Sequence, residues 1–294
     1  MINKIPRTYF LHIPKTSGTS TYTSVFSLLD KSKYNEWLTW HHIALQSNRE
    51  NLIRDLYSDK YLFVTGHFGW NTKIIRNRFV FSMFRNPIYR TISQLQHIKK
   101  FPLGNAWVDE GFVINENDLL SQLYNPDLVK FVSNVQTKYL LSDFDPSEEI
   151  LHLTKNKNYF FDQDDRLLNT INRPKYWITL KIIQKLLRLD FFGLNMLHPE
   201  SMILLSSKLG VVFPEIEIHK MVSNFPSESY PLKPETLVLL ESINIYDSIL
   251  YDIAKRLFIK RWMKFFNEKT GRKIKFDEYI RKRKEYLETI TKTL

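Results

Sequence analysis

The sequence predicts an α/β domain: three layers, with a central, mainly parallel sheet and extra helices toward the C-terminal end. Three observations carry the prediction. Aromatic and β-branched runs at 8–12, 61–65 and 79–84 are apolar almost throughout, as strands buried on both faces must be. Helical periodicity lies between them: Tyr22, Val25, Phe26 and Leu29 recur at i, i+3, i+4 and i+7, and 45–57 reads as a second helix. Beyond about residue 115 the pattern is mostly helical, and strand–helix alternation followed by helices builds a layered α/β domain.

The elements follow in order. The strand at 8–12 runs into a proline-containing loop, and a helix starts at about Gly18 or Thr19. An apparent strand spans 36–40. The strand at 79–84 feeds a helix that Pro87 suits at its first turn, with Ile88, Ile92 and Leu95 on its buried side. Further helices are expected at 117–124, 128–141, 174–189, 200–209, 234–243, 246–266 and 277–289, interrupted by one short strand at 190–194. No linker is long or polar enough to divide the chain. One domain over 1–294 is expected, with a core at about 7–266 and a basic helical extension at 267–294.

Composition bounds the function. With 294 residues, 43% hydrophobic and 25% charged, the chain can bury a real core and is not a disordered polymer. Cysteine is absent, which removes disulfides, thiolate nucleophiles and Cys-ligated zinc. No signal-peptide pattern, no Asn-x-Ser/Thr acceptor and no apolar run of the roughly 18 residues that span a membrane is present. A soluble, cytoplasmic protein is the expectation. The net charge of +11 points to polyanionic partners, although the excess at 255–264 and 281–284 equally suits solvated helix faces. No RNP, zinc-finger or helix-turn-helix pattern accompanies it, so nucleic acid is not the expected partner.

Two junctions carry chemistry. After the first strand come Lys15, Thr16, Ser17, Gly18, Thr19 and Ser20. The first N–H groups of a helix lack internal partners and sit at its positive end, so they bind anions. Four hydroxyls and the Lys15 ammonium add donors, and Gly18 permits close backbone approach. A Ser/Thr-rich turn alone is also an ordinary helix cap. The loop is not a Walker A motif, because its lysine precedes the glycine. At the second junction Arg85 stands at the carboxyl end of a strand, where open α/β sheets bind ligands, and Ser93 follows two turns on. Between the junctions, Gly66-His67 closes the strand at 61–65. A histidine there suits a general base at neutral pH, with His41 and His42 as second choices.

These residues resemble the glycan sulfotransferases related to heparan sulfate 2-O-sulfotransferase. His12 to Ser20 is similar to that family's 5′-phosphosulfate loop, with Ser17 where glycine is commoner; serine keeps the hydroxyl and backbone donors and counts as a conservative change. Arg85, Pro87, Arg90 and Ser93 match its 3′-phosphate motif, with Asn86 in place of aspartate. The segment 134–137 resembles an Asn-x-Gln-Thr helix start near the acceptor cleft. Asn195-Met196 replaces a Thr-Glu pair, a departure that bears on the acceptor. Lys220, Ser223 and Asn224 fall in a loop that could cover the nucleotide. The resemblance implies a P-loop-like sandwich and a sulfuryl donor, 3′-phosphoadenylyl sulfate (PAPS). It implies Lys15 as charge stabiliser, His67 as base, Arg85 and Ser93 on the 3′-phosphate, no metal, and a carbohydrate or other hydroxyl acceptor, for which the basic charge suits an acidic glycan. The competing readings are a P-loop kinase or NTPase, disfavoured because the second key strand ends in Arg85 rather than an aspartate, and a non-catalytic nucleotide- or nucleic-acid-binding protein.

Overall fold

The computed structural model describes residues 5–26, 37–39, 57, 61–67, 69–100, 123–124, 126–142, 174–211 and 232–293. Five parallel strands form one sheet: β1 (Thr8–Leu11), β2 (Trp37–Thr39), β3 (Phe63–Gly66), β4 (Phe79–Phe84) and β5 (Phe191–Leu194), in the order β2-β3-β1-β4-β5. The expected mainly parallel sheet is parallel throughout. Every residue of β1, β3 and β5 is buried, so both faces of the sheet are covered, as long apolar strands require. Phe10 of β1 stacks on Phe81 of β4 at 4.6 Å between ring centroids.

Parallel strands need crossovers, and the described helices supply or surround them. These are α1 (Gly18–Phe26), α2 (Thr72–Ile75), α3 (Pro87–Lys100), α4 (Pro126–Val132), α5 (Val135–Leu141), α6 (Lys175–Arg188), α7 (His198–Leu209), α8 (Pro234–Ile243), α9 (Ile245–Thr270), α10 (Phe276–Arg281) and α11 (Arg283–Thr293). β1 pairs with β3 and β4, which places the ends of all three at one edge of the sheet. No described helix is long and apolar enough to cross a membrane. The helices expected at 45–57 and 117–124, and His41, His42, Lys220, Ser223 and Asn224, lie almost wholly or wholly outside the described residues.

Two expected helices are each broken in two. The run at 128–141 divides at Asn134, whose φ of 46° is left-handed. Its side chain explains the break: Oδ1 accepts from the N–H groups of Tyr246 and Asp247 at 2.9 and 3.1 Å, and Nδ2 donates to Ile243 O at 2.9 Å. Asn134 thus caps the start of α9 rather than continuing its own helix. The run at 277–289 divides at Lys282 into α10 and α11.

The basic C-terminal segment is packed into the main core. Tyr279, Tyr286 and Ile290 are buried with Trp262 and Phe266 of α9. Glu200 of α7 is fully buried and accepts from Tyr279 Oη at 2.9 Å and from Arg283 Nε and Nη2 at 2.5 and 2.7 Å. A buried carboxylate survives only when its lone pairs are met in this way.

Candidate anion site at the sheet edge

The loop between β1 and α1 has alternating backbone handedness. Lys15 and Ser17 take φ of 67° and 74°, flanking a Thr16 that does not. Such alternation turns successive N–H groups into one concavity that accepts anions. Thr16 is fully buried and its hydroxyl donates to Ile13 O at 2.9 Å, so that hydroxyl closes the turn. Ser17 is not a neutral replacement for glycine here. A left-handed φ costs a residue with a Cβ about 1 kcal/mol, which is why glycine suits the position. Gly18 has a different duty: a Cβ on it would lie 1.6 Å from His12 Nε2. The His12 ring, stacked on Phe10 at 5.2 Å, occupies the space that glycine leaves. Thr19 and Ser20 are half-buried in the first turn of α1.

Arg85 extends this site. Its Nη1 donates to Lys15 O at 3.3 Å, so the two junctions predicted separately meet. Gln136 clamps Arg85 from behind: Arg85 N–H donates to Gln136 Oε1 and Gln136 Nε2 donates to Arg85 O, both at 2.8 Å. Asp247 at the head of α9 in turn accepts from Gln136 and Thr137 N–H at 3.0 and 2.7 Å, capping α5 in trans. Burial pushes the Asp247 carboxyl upward, against the pull of Arg90 and these amides. Asn86 is the cap of α3, its Oδ1 accepting from Ile88 N–H at 3.0 Å, a task aspartate performs equally well.

Arg90 is structural. It is fully buried, Nη2 donates to Val132 O and Thr91 Oγ1, and burial lowers its pKa to about 10 with Asp247 opposing. Ser93 is half-buried two turns along α3. Beside this junction opens a cavity of about 590 Å³, lined by Asn86, Pro87 and Ile88 and by Glu241, Tyr251 and Asp252 of α8 and α9. That is the size range of small-ligand sites.

His67 stands just beyond β3. Its Nδ1 lies 2.8 Å from His12 O. A carbonyl only accepts, so Nδ1 carries a proton. Its ring lies 4.5 Å from that of His12 and edge-on to Tyr139. Tyr9 Oη donates to Gly69 O at 2.7 Å, tying the turn after His67 to β1. Gly69 takes φ 61°, and a Cβ there would lie 2.2 Å from Ser142 Oγ.

No protein-family model matches this chain, and no curated protein does. What the site can do is set by its own donors. The contacts thus bring Lys15, Ser17, Gly18 and Arg85 together, with His67 one residue contact away through His12. Gln136, Asp247 and Asn195 were not expected as site residues. Gln136 lies in the segment 134–137 expected near the acceptor cleft, but its bond to Arg85 and that of Asp247 to Gln136 span 51 and 111 residues, which no local pattern reveals. Asn195 stood out only as a departure from a resembled motif.

Proposed function

We propose that this protein is a PAPS-dependent sulfotransferase with a P-loop-like sandwich fold, acting on a hydroxyl of a carbohydrate acceptor. The carrying observation is the contact of Arg85 with Lys15 O, which joins a loop suited to one phosphate with an arginine fork suited to another. The sheet order and the loop after β1 support the P-loop-like comparison. A cavity of about 590 Å³ opens at Asn86, the residue after Arg85.

In the proposed reaction the acceptor oxygen attacks sulfur while the sulfur–oxygen bond to the 5′-phosphate breaks. The acceptor proton passes to His67 Nε2, and adenosine 3′,5′-bisphosphate departs with the electron pair. Lys15 and the loop amides offset charge on the bridging and equatorial oxygens. The His12 carbonyl favours His67 as imidazolium after it takes the proton, because Nδ1–H already donates there.

The test is ligand-induced thermal stabilisation by adenosine 3′,5′-bisphosphate against ADP and AMP. A selective shift with the bisphosphate is expected; equal shifts with ADP, or none at all, would overturn the donor assignment. Labelled PAPS screened over glycan acceptors then reads transfer, which His67→Ala should abolish while donor binding persists.

A further inference from the structure

Two of the places where this chain departs from the resembled motifs touch each other. Ser17 follows β1, and Asn195 opens the 3₁₀ turn Asn195–Leu197 directly after β5. Asn195 Nδ2 donates to Ser17 Oγ. Both residues are half-buried, and among the described residues the Ser17 hydroxyl has no second partner.

The chemistry of the contact has a direction. An amide nitrogen has only hydrogens to offer, so Ser17 Oγ must accept and its own proton is left to donate elsewhere. Ser17 sits in the left-handed bend of the anion loop, at φ 74°. A serine there bears a backbone cost that glycine would avoid, and a hydroxyl aligned toward a ligand offsets it. The residues on either side of Asn195 are tied down. Leu194 N–H donates to Ser201 Oγ at 2.8 Å, Ser201 Oγ donates to Leu197 O at 2.7 Å, and Arg283 Nη2 reaches Met196 O at 3.4 Å.

We infer that Ser17 and Asn195 form a specificity pair: Asn195 orients the Ser17 hydroxyl so that it donates to the tetrahedral oxyanion at the 5′ end of the nucleotide. The inference rests on the proposed nucleotide site and adds one donor to it. A hydrogen bond to a charged oxygen contributes about ten- to a hundredfold in affinity.

Calorimetric titration tests it with two probes, adenosine 3′,5′-bisphosphate and adenosine 3′-monophosphate, which lacks the 5′ anion. For the bisphosphate, Ser17→Ala and Asn195→Ala should each lose at least about tenfold, and the double variant should lose no more than the worse single one. Asn195→Asp should lose more than Asn195→Ala, because a carboxylate captures the Ser17 proton. The monophosphate should bind all forms equally. If wild type binds the bisphosphate but the variants match it, or both probes weaken alike, the pair is structural and this inference alone falls. If wild type does not bind the bisphosphate, the nucleotide site itself falls and the pair falls with it.

Discussion

Replacing Gln136 with leucine removes two hydrogen bonds while keeping most of the side chain's bulk. Gln136 is fully buried, and both of its bonds go to the backbone of Arg85 at 2.8 Å. Each such bond contributes about 1 kcal/mol net, and a buried group left unpaired costs about 1–3 kcal/mol more. Arg85 is half-buried, so water recovers part of that penalty. The expected loss is about 3 kcal/mol, which for a protein of this size lowers Tm by about 6 °C. Urea denaturation should report it as a lower midpoint at unchanged slope, and affinity for adenosine 3′,5′-bisphosphate should fall by more than tenfold as the Arg85 fork loses its aim. Gln136→Glu makes the argument sharper. The carboxylate still accepts from Arg85 N–H but opposes Arg85 O, so the variant should be damaged at pH 7 and recover relative to wild type as acid protonates the glutamate. A loss below about 1 kcal/mol in Gln136→Leu, with full ligand affinity, would refute the clamp.

Two further perturbations have worked signs. His198 is 7% exposed, and burial lowers its pKa from 6.5 to about 4, with Glu200 opposing. Above pH 6.5 the ring is neutral in folded and unfolded chains alike; between 6.5 and 4 only the unfolded chain takes the proton. Stability should therefore fall by about 1.4 kcal/mol per pH unit across that window, to a total of about 3 kcal/mol, and His198→Gln should flatten this slope in urea midpoints measured from pH 7 to 4. Glu200→Ala strands the Tyr279 hydroxyl and the Arg283 guanidinium, and a broken buried pair costs about 3–5 kcal/mol. Because the Arg283 side chain is 33% exposed, the lower end is expected, and adding Arg283→Ala should cost less than its effect alone.

The strands were legible because their physics is local. Residues 8–11 and 79–84 are short, apolar on both sides and bounded by turn residues, and each appears where the pattern places it. The strand-to-helix junction between β1 and α1 was legible for the same reason. The break at Asn134 was not, because the residue that decides it is Asn134's partner across more than a hundred positions, at 246 and 247. Ser17 shows a second kind of blindness. Its hydroxyl reads as a donor in any sequence, whereas its left-handed backbone and its Asn195 neighbour exist only once β1 and β5 share a sheet edge. Arg90 and Arg85 look alike in sequence, yet one is walled in and the other faces the loop.

Helix α9 has a mechanical consequence. Its 26 residues contain neither glycine nor proline, and it spans about 39 Å. One end carries Asp247, which fixes α5 and through Gln136 the Arg85 backbone. The other end is seated in the aromatic cluster of Trp262, Phe266, Tyr279 and Tyr286. An axial slide of about 1 Å is enough to stretch the Asp247 bonds beyond useful length. The aromatic seat thus sets the alignment tolerance of an arginine at the opposite end of the longest described helix. Substitutions in that seat should register as a misaimed Arg85 before they register as a lost fold.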